Sequence, residues 1–185
     1  CVVLLIATGL VWQSLYNRRS FDTGFHSSNV LVASLWEREQ SVNPYVHSEN
    51  LEELRRTLIH LPGVRSASLV THAPMGLQVS TAQVSGDRSE PEAWHTVTMN
   101  SVSSEFFQTL GVPLLAGRDF TDEDRRSGTP VAIVSRQLAE ALYPGKVPLG
   151  QQIYHAGKSH EIVGVVGEVR YMRFEAPHIA GTLYL

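Results

Sequence analysis

Eight histidines stand at positions 26, 47, 60, 72, 95, 155, 160 and 178, and histidine is the side chain that most readily binds zinc or moves a proton near neutral pH. No two of them have the His-x-x-x-His spacing that would put both rings on one helix face. Only His155 and His160 are placed to meet, across a hairpin. Glu161 faces the opposite side of its strand from His160, so no third ligand is at hand and no metal is expected. Asp119, Asp122, Glu123 and Asp124 suggest a calcium loop. Starting that pattern at Asp122, however, puts Arg126 at the fifth position and Ser127 where glycine is required. Val131-Ala132-Ile133-Val134-Ser135-Arg136 has the strand-turn-helix order of a nucleophile elbow. The flanking glycines are replaced by Ile133 and Gln137, which makes Ser135 a helix cap. Gly145-Lys146 lacks the rest of a phosphate loop, with Glu140 and Val147 in the places of a glycine and a hydroxyl. Gly164 and Gly167 are isolated glycines in a strand, as expected where backbones approach closely or a strand bulges. The candidate chemistry thus leaves no catalytic residue, no cofactor and no metal, and the chain reads as non-enzymatic.

The elements that position these residues alternate between strands and short helices. Asn29 to Trp36 is a short apolar run with β-branched residues and reads as a buried strand. A helix follows, capped by Ser48 or Asn50, with Glu49, Glu52 and Glu53 in its first turn. Leu51, Leu54, Leu58 and Leu61 form one stripe along it, and Pro62-Gly63 stops it. Val64 to Thr71 reads as the next strand, completing a βαβ or split-βαβ element. Strands are expected at Thr81 to Val84 and Trp94 to Met99, then a short helix capped by Ser103 and closed by Gly111, then a strand at Val112 to Leu115. Thr121 and Asp124 have capping-box spacing. Val131 to Val134 is a strand leading into a helix that carries Leu138, Ala141 and Leu142 and ends at Pro144-Gly145. Gln151 to His155 and His160 to Val169 form a hairpin about Ala156-Gly157-Lys158-Ser159. The chain stops in a strand-like run, Thr182 to Leu185, so its natural end is expected further on. The fold class is α+β, with mixed sheets and βαβ-type elements.

Hydrophobic residues make up 43% of the sequence, charged residues 18%, and the net charge is −3. That balance supports a folded core and carries no basic footprint for nucleic acid, which is excluded as a partner. The single cysteine is Cys1, so the rest of the chain can form no internal disulfide. The chain opens on Val2, Val3, Leu4, Leu5 and Ile6 and continues through Leu10, Val11 and Trp12. This run falls short of the roughly 20 apolar residues that a spanning helix needs. Trp12 and Tyr16 lie one helical turn apart, ahead of Asn17, Arg18 and Arg19, in the order of an interfacial aromatic belt and polar flank. Those eight apolar residues therefore read as a membrane anchor, residues 1–16 being the exit end of a transmembrane helix. A signal-peptide core and a buried helix are the other readings of a run this short. Arg18 and Arg19 by charge bias point to the cytoplasm, but large domains translocate largely regardless of such charges.

A series of short motifs follows in order. It contains Leu61-Pro62-Gly63-Val64; Phe106-Phe107-Gln108-Thr109-Leu110-Gly111-Val112-Pro113-Leu114-Leu115-Ala116-Gly117-Arg118-Asp119-Phe120; Val131 to Val134; Leu142-Tyr143-Pro144-Gly145; Pro148-Leu149-Gly150; and Ile162 to Gly167. Each is a common turn or strand alone, but in this order and spacing the series resembles the MacB-like periplasmic core domain of FtsX/MacB-type ABC transporter permeases. The resemblance implies an α/β porter-like lobe over residues 17–120 and a smaller β-rich lobe over 121–185. It also implies a place on the periplasmic or extracellular side of a bacterial inner membrane. The implied partners are the membrane, an ABC ATPase subunit or domain that hydrolyses ATP, a periplasmic adaptor or substrate protein, and a permease dimer or pseudo-dimer. The implied role is to couple ATP-driven motion to export or another envelope process. The alternative is a membrane-anchored extracytoplasmic binding module without transport function. An anchored hydrolase using Ser135 is the third hypothesis.

Overall fold

The computed structural model describes residues 9, 12, 24–26, 28–35, 44–76, 78–87, 94–171 and 178–185. Its helices are α1 (Pro44–Ile59), α2 (Phe106–Leu110), α3 (Asp122–Ser127) and α4 (Arg136–Leu142). Its strands are β1 (Ser80–Ser85), β2 (His95–Asn100), β3 (Leu114–Gly117), β4 (Val131–Ser135), β5 (Gln152–His155), β6 (Lys158–Val166) and β7 (Ile179–Tyr184). All seven strands belong to one mixed sheet in the order β3-β6-β4-β7-β2-β1-β5, and β5 pairs back onto β6. Strands from both sides of residue 120 therefore share the sheet.

The return of β5 to β6 turns six of the strands into a closed, barrel-like circuit. β5 and β6 form the expected hairpin, but its turn is only Ala156-Gly157, because Lys158 and Ser159 already pair with His155 and Tyr154; further on, Gln152 stands opposite Glu161. On its other side β5 meets the last two residues of β1, Val84 and Ser85. β3 pairs with the far half of β6, at Gly164 to Val166, and is exposed along its length. Closure gives each of the six circuit strands a partner on both sides over at least part of its length, which shortens the edge left open to intermolecular pairing.

Every strand of the circuit contributes to the inner core: Ala82 and Val84, Val97, Ala132 and Val134, Ile153, Ile162 and Val165, and Leu183, with Leu138 and Ala139 of α4 against them. A second core lies on the outer face of β4, β6 and β7, where Ile133, Val166 and Tyr184 meet Phe106, Phe107 and Leu110 of α2 together with Val169 and Tyr171. Phe107 stands edge-on to Tyr184 with ring centroids 4.8 Å apart, a favoured aromatic geometry. Because side chains alternate along a strand, β4 sends Ala132 and Val134 to one core and Ile133 to the other, and all five of its residues are buried.

Four expectations about elements are corrected. Residues 29–35 form no strand, Leu31 being 93% exposed; an apolar run becomes a strand only where a neighbour satisfies its backbone, and no described strand lies beside this one. Trp36 falls outside the described residues. α1 starts at Pro44, ahead of both expected caps, and its leucine stripe does not face the core. Leu54, Leu58 and Leu61 are 38%, 39% and 49% exposed, while Glu52 and Arg55 are buried. The short helix α2 is entered at Glu105, in left-handed conformation and without a side-chain cap; Ser103 Oγ accepts from Leu69 N–H instead. Of the strand expected at 64–71, only the end is paired, through Val70 opposite Val102 and reciprocal bonds between Leu69 and Ser103.

The glycine at 164 behaves as expected. A Cβ there would lie 2.4 Å from the Arg118 carbonyl oxygen and 3.2 Å from Ile133 Cγ1, and the β4–β6 register shifts beside it. Gly164→Ala should therefore cost about 2–3 kcal/mol through forced displacement of the β3–β4 neighbours, read as a lower urea midpoint with an unchanged slope.

Candidate functional site

Among the described residues no group of three or more His, Cys, Asp or Glu could hold a metal ion. In the hairpin His155 stands opposite Lys158 and His160 opposite Ile153, so the two histidines are not cross-strand partners. Burial, with His155 second and Lys158 third, pushes the His160 imidazole below its ordinary value.

Ser135 is used as a structural hydroxyl. It is fully buried at the N-terminus of α4, where its Oγ accepts from Leu138 N–H at 3.4 Å and Thr182 N–H at 3.1 Å. The hydroxyl thus ties the end of β4 to the start of α4 and to β7, with no histidine among its hydrogen-bond partners. Gly181, at φ 134°, passes so close that a Cβ would stand 2.6 Å from Ser135 Oγ, which leaves no approach for a substrate from that side.

The acidic run forms a helix start, as its spacing requires. Thr121 and Asp124 make a complete capping box, and Arg118 grips the Asp124 carboxylate with two bonds of 2.6 and 2.8 Å. That bidentate pair, helped by the Thr121 hydroxyl and amide, draws the Asp124 carboxyl down to about 2.

A cleft of about 240 Å³ opens between Glu52 of α1, the 102–104 segment and the start of α3. Its walls include Glu52, Ser104, Phe120, Asp122, Arg125 and Leu185. One wall carries a buried ion pair: Arg55 reaches Glu52 through its Nη2 at 2.6 Å and its Nε at 3.0 Å. The hydrogen bond to Glu52 holds the Arg55 guanidinium charged above its ordinary value, against the cost of burial.

Behind the cleft lies Asn100, which the sequence reading did not single out. Its Nδ2 donates to His72 O at 2.8 Å and Tyr171 Oη at 2.9 Å, and its Oδ1 accepts from His72 N–H at 3.1 Å. This one amide joins three distant segments. Its only sequence signal is a polar residue at the end of an alternating strand.

Of the expected anchor, Trp12 is described and is helical and exposed, as is Gly9 beside it. Val2, Val3, Leu4, Leu5, Ile6, Leu10 and Val11 lie outside the described residues. Among the described residues no helix is long and apolar enough to cross a membrane.

A mixed α/β domain built on one seven-stranded sheet is thus what the geometry defines. The model of the MacB-like periplasmic core domain matches residues 1–180, so the chain belongs to that family. Among curated proteins it is similar to an uncharacterized ABC transporter permease, YknZ, of Bacillus subtilis (strain 168). The two are 32% identical over 72 residues, 39% of this chain and 18% of that protein. It is also 35% identical over 71 residues, 38% of this chain and 11% of the relative, to the probable syringafactin export ATP-binding/permease protein SyfD of Pseudomonas syringae pv. tomato (strain ATCC BAA-871 / DC3000). Among solved structures, the periplasmic region of MacB from Actinobacillus actinomycetemcomitans superposes with a TM-score of 0.53 at 17% identity, over 72% of this chain and 53% of that one. This last likeness is one of fold. The matched stretches span under a fifth of both curated relatives.

Asp124 yields a pH prediction. Its folded value lies below that of the unfolded carboxyl, so the stabilisation is complete above about pH 4 and is lost as pH falls towards about 2. In thermal melts across that window, wild type should lose stability more steeply than Asp124→Asn. Parallel curves would show that the Arg118 pair contributes nothing.

Proposed function

We propose that this chain is the extracytoplasmic domain of an ABC transporter permease, held at the outer face of a bacterial inner membrane. In this reading it couples the ATP-driven motion of a separate ATPase subunit or domain to export or another envelope process. The observation that carries the reading is the family match over residues 1–180. The site geometry is in keeping with it. Ser135 caps α4 and the acidic run caps α3, and ATP chemistry would fall to the partner. Val2, Val3, Leu4, Leu5, Ile6, Leu10, Val11 and Trp12 would form the outer end of the first transmembrane helix. The porter-like lobe would begin after it at residue 17 and the smaller β-rich lobe at 121. A periplasmic adaptor or substrate protein and a second permease half complete the proposed partners.

The test is to express the complete reading frame that carries this chain and purify it from solubilised membranes under a tag at its N-terminus. An ABC ATPase encoded beside it should copurify in stoichiometric amount, and alkaline phosphatase fused after Leu185 should be active in cells. A reading frame without further apolar spans, and a preparation free of ATPase, would instead establish a tethered binding module.

A further inference from the structure

We infer that the described contacts of α1 with the rest of the fold form an ionic joint at the starts of α2 and α3, so that α1 swings as a unit while the sheet stays folded. The inference rests on which side of α1 faces inward. A surface helix ordinarily docks through its apolar stripe, yet here Leu54 and Leu58 are exposed, Leu51 and Ile59 are only half-buried, and among the described side chains of α1 the buried ones are Glu52 and Arg55.

The contacts that reach across from α1 are charged. Arg55 Nη1 lies 3.7 Å from a Glu105 carboxylate oxygen, and its Nη2 lies 3.8 Å from Asp122. Arg56 lies 3.5 Å from Glu52 and 4.0 Å from Asp122. Asp122 is itself held by the Ser104 hydroxyl at 3.0 Å. One further bond, Arg55 Nη1 to Ala67 O at 3.4 Å, ties α1 to the segment that follows it. Beside these contacts lies the open cleft, where a packed helix would have side chains.

The two kinds of contact respond differently to displacement. A dispersion contact loses a quarter to a half of its well depth when a gap of about 0.5–1 Å opens. A Coulomb interaction falls only as the inverse of distance, so a pair near 4 Å loses about a fifth over the same movement. Charges on the sheet side thus tolerate an ångström of tilt that an apolar interface would resist. Glu105 adds a second mark of a built joint. It adopts φ 66°, a conformation uncommon for a residue other than glycine or asparagine and retained where surroundings hold it.

The joint is read from this chain's own geometry and stands or falls independently of the permease proposal. Hydrogen–deuterium exchange on the full 185-residue chain in detergent tests it, comparing wild type with the double variant Glu105→Gln and Asp122→Asn. Both changes lie off α1 and leave its internal Glu52–Arg55 pair intact. Exchange in residues 50–61 should quicken about tenfold in the variant while residues 131–138 keep their protection. Raising salt from about 0.05 to about 0.5 M on wild type should quicken the same segment by about threefold. An unchanged α1 in both arms would overturn the inference, as would acceleration of α1 and β4 together, which would mean one packed body. Should the variant fail to fold, the salt arm on wild type decides by the same two outcomes.

Discussion

Burial of β4 on both of its faces is the constraint on which the rest of the structure depends. Five consecutive residues, Val131 to Ser135, lie out of solvent, so the strand needs a backbone partner on each side and an apolar cover above and below. β6 runs parallel on one side and β7 antiparallel on the other. Val134 looks into the strand circuit and Ile133 into the aromatic cluster under α2. The two cores are thus separated by the thickness of one strand, and a change in either is felt through it. Where the strand ends, Ser135 Oγ receives N–H groups from α4 and β7, and so turns the chain without leaving donors unpaired.

That arrangement also gives several polar residues a structural use. A serine at the end of a buried strand would need an exposed elbow to act as a nucleophile, and here Gly181 closes over it. A carboxylate beside a bidentate arginine, like Asp124, is neutralised for any other purpose. At α1, Arg55 and Arg56 bring together Glu52, Glu105 and Asp122.

Local features were legible in the sequence because their causes are local. The Thr121–Asp124 box, the Ser135 cap, the turn at Ala156-Gly157, the left-handed Gly111 and the crowding at Gly164 each follow from a few neighbouring residue types. Circuit closure was not legible, since it depends on β2 pairing with β7 and β5 with β1, and hydrophobic alternation does not name partners. Periodicity found the apolar stripe of α1 but carried no information on which side the sheet lies. Residues 29–35 failed as a strand for a related reason: composition supplies the tendency, and a neighbour supplies the hydrogen bonds. The motif order from Leu61 to Gly167 was informative about family where single motifs were not, because it samples the whole fold.

The central claim is that one buried strand couples both cores into one cooperative unit. Urea unfolding of Ile133→Ala and of Val134→Ala, followed both by amide exchange at Leu183 in the inner core and by near-ultraviolet dichroism of the Phe107–Tyr184 cluster in the outer one, tests it most directly. The account predicts that each substitution lowers both midpoints together, by an equivalent of about 2–4 kcal/mol. Separate midpoints for the two probes, with Ile133→Ala moving only the aromatic signal, would contradict it.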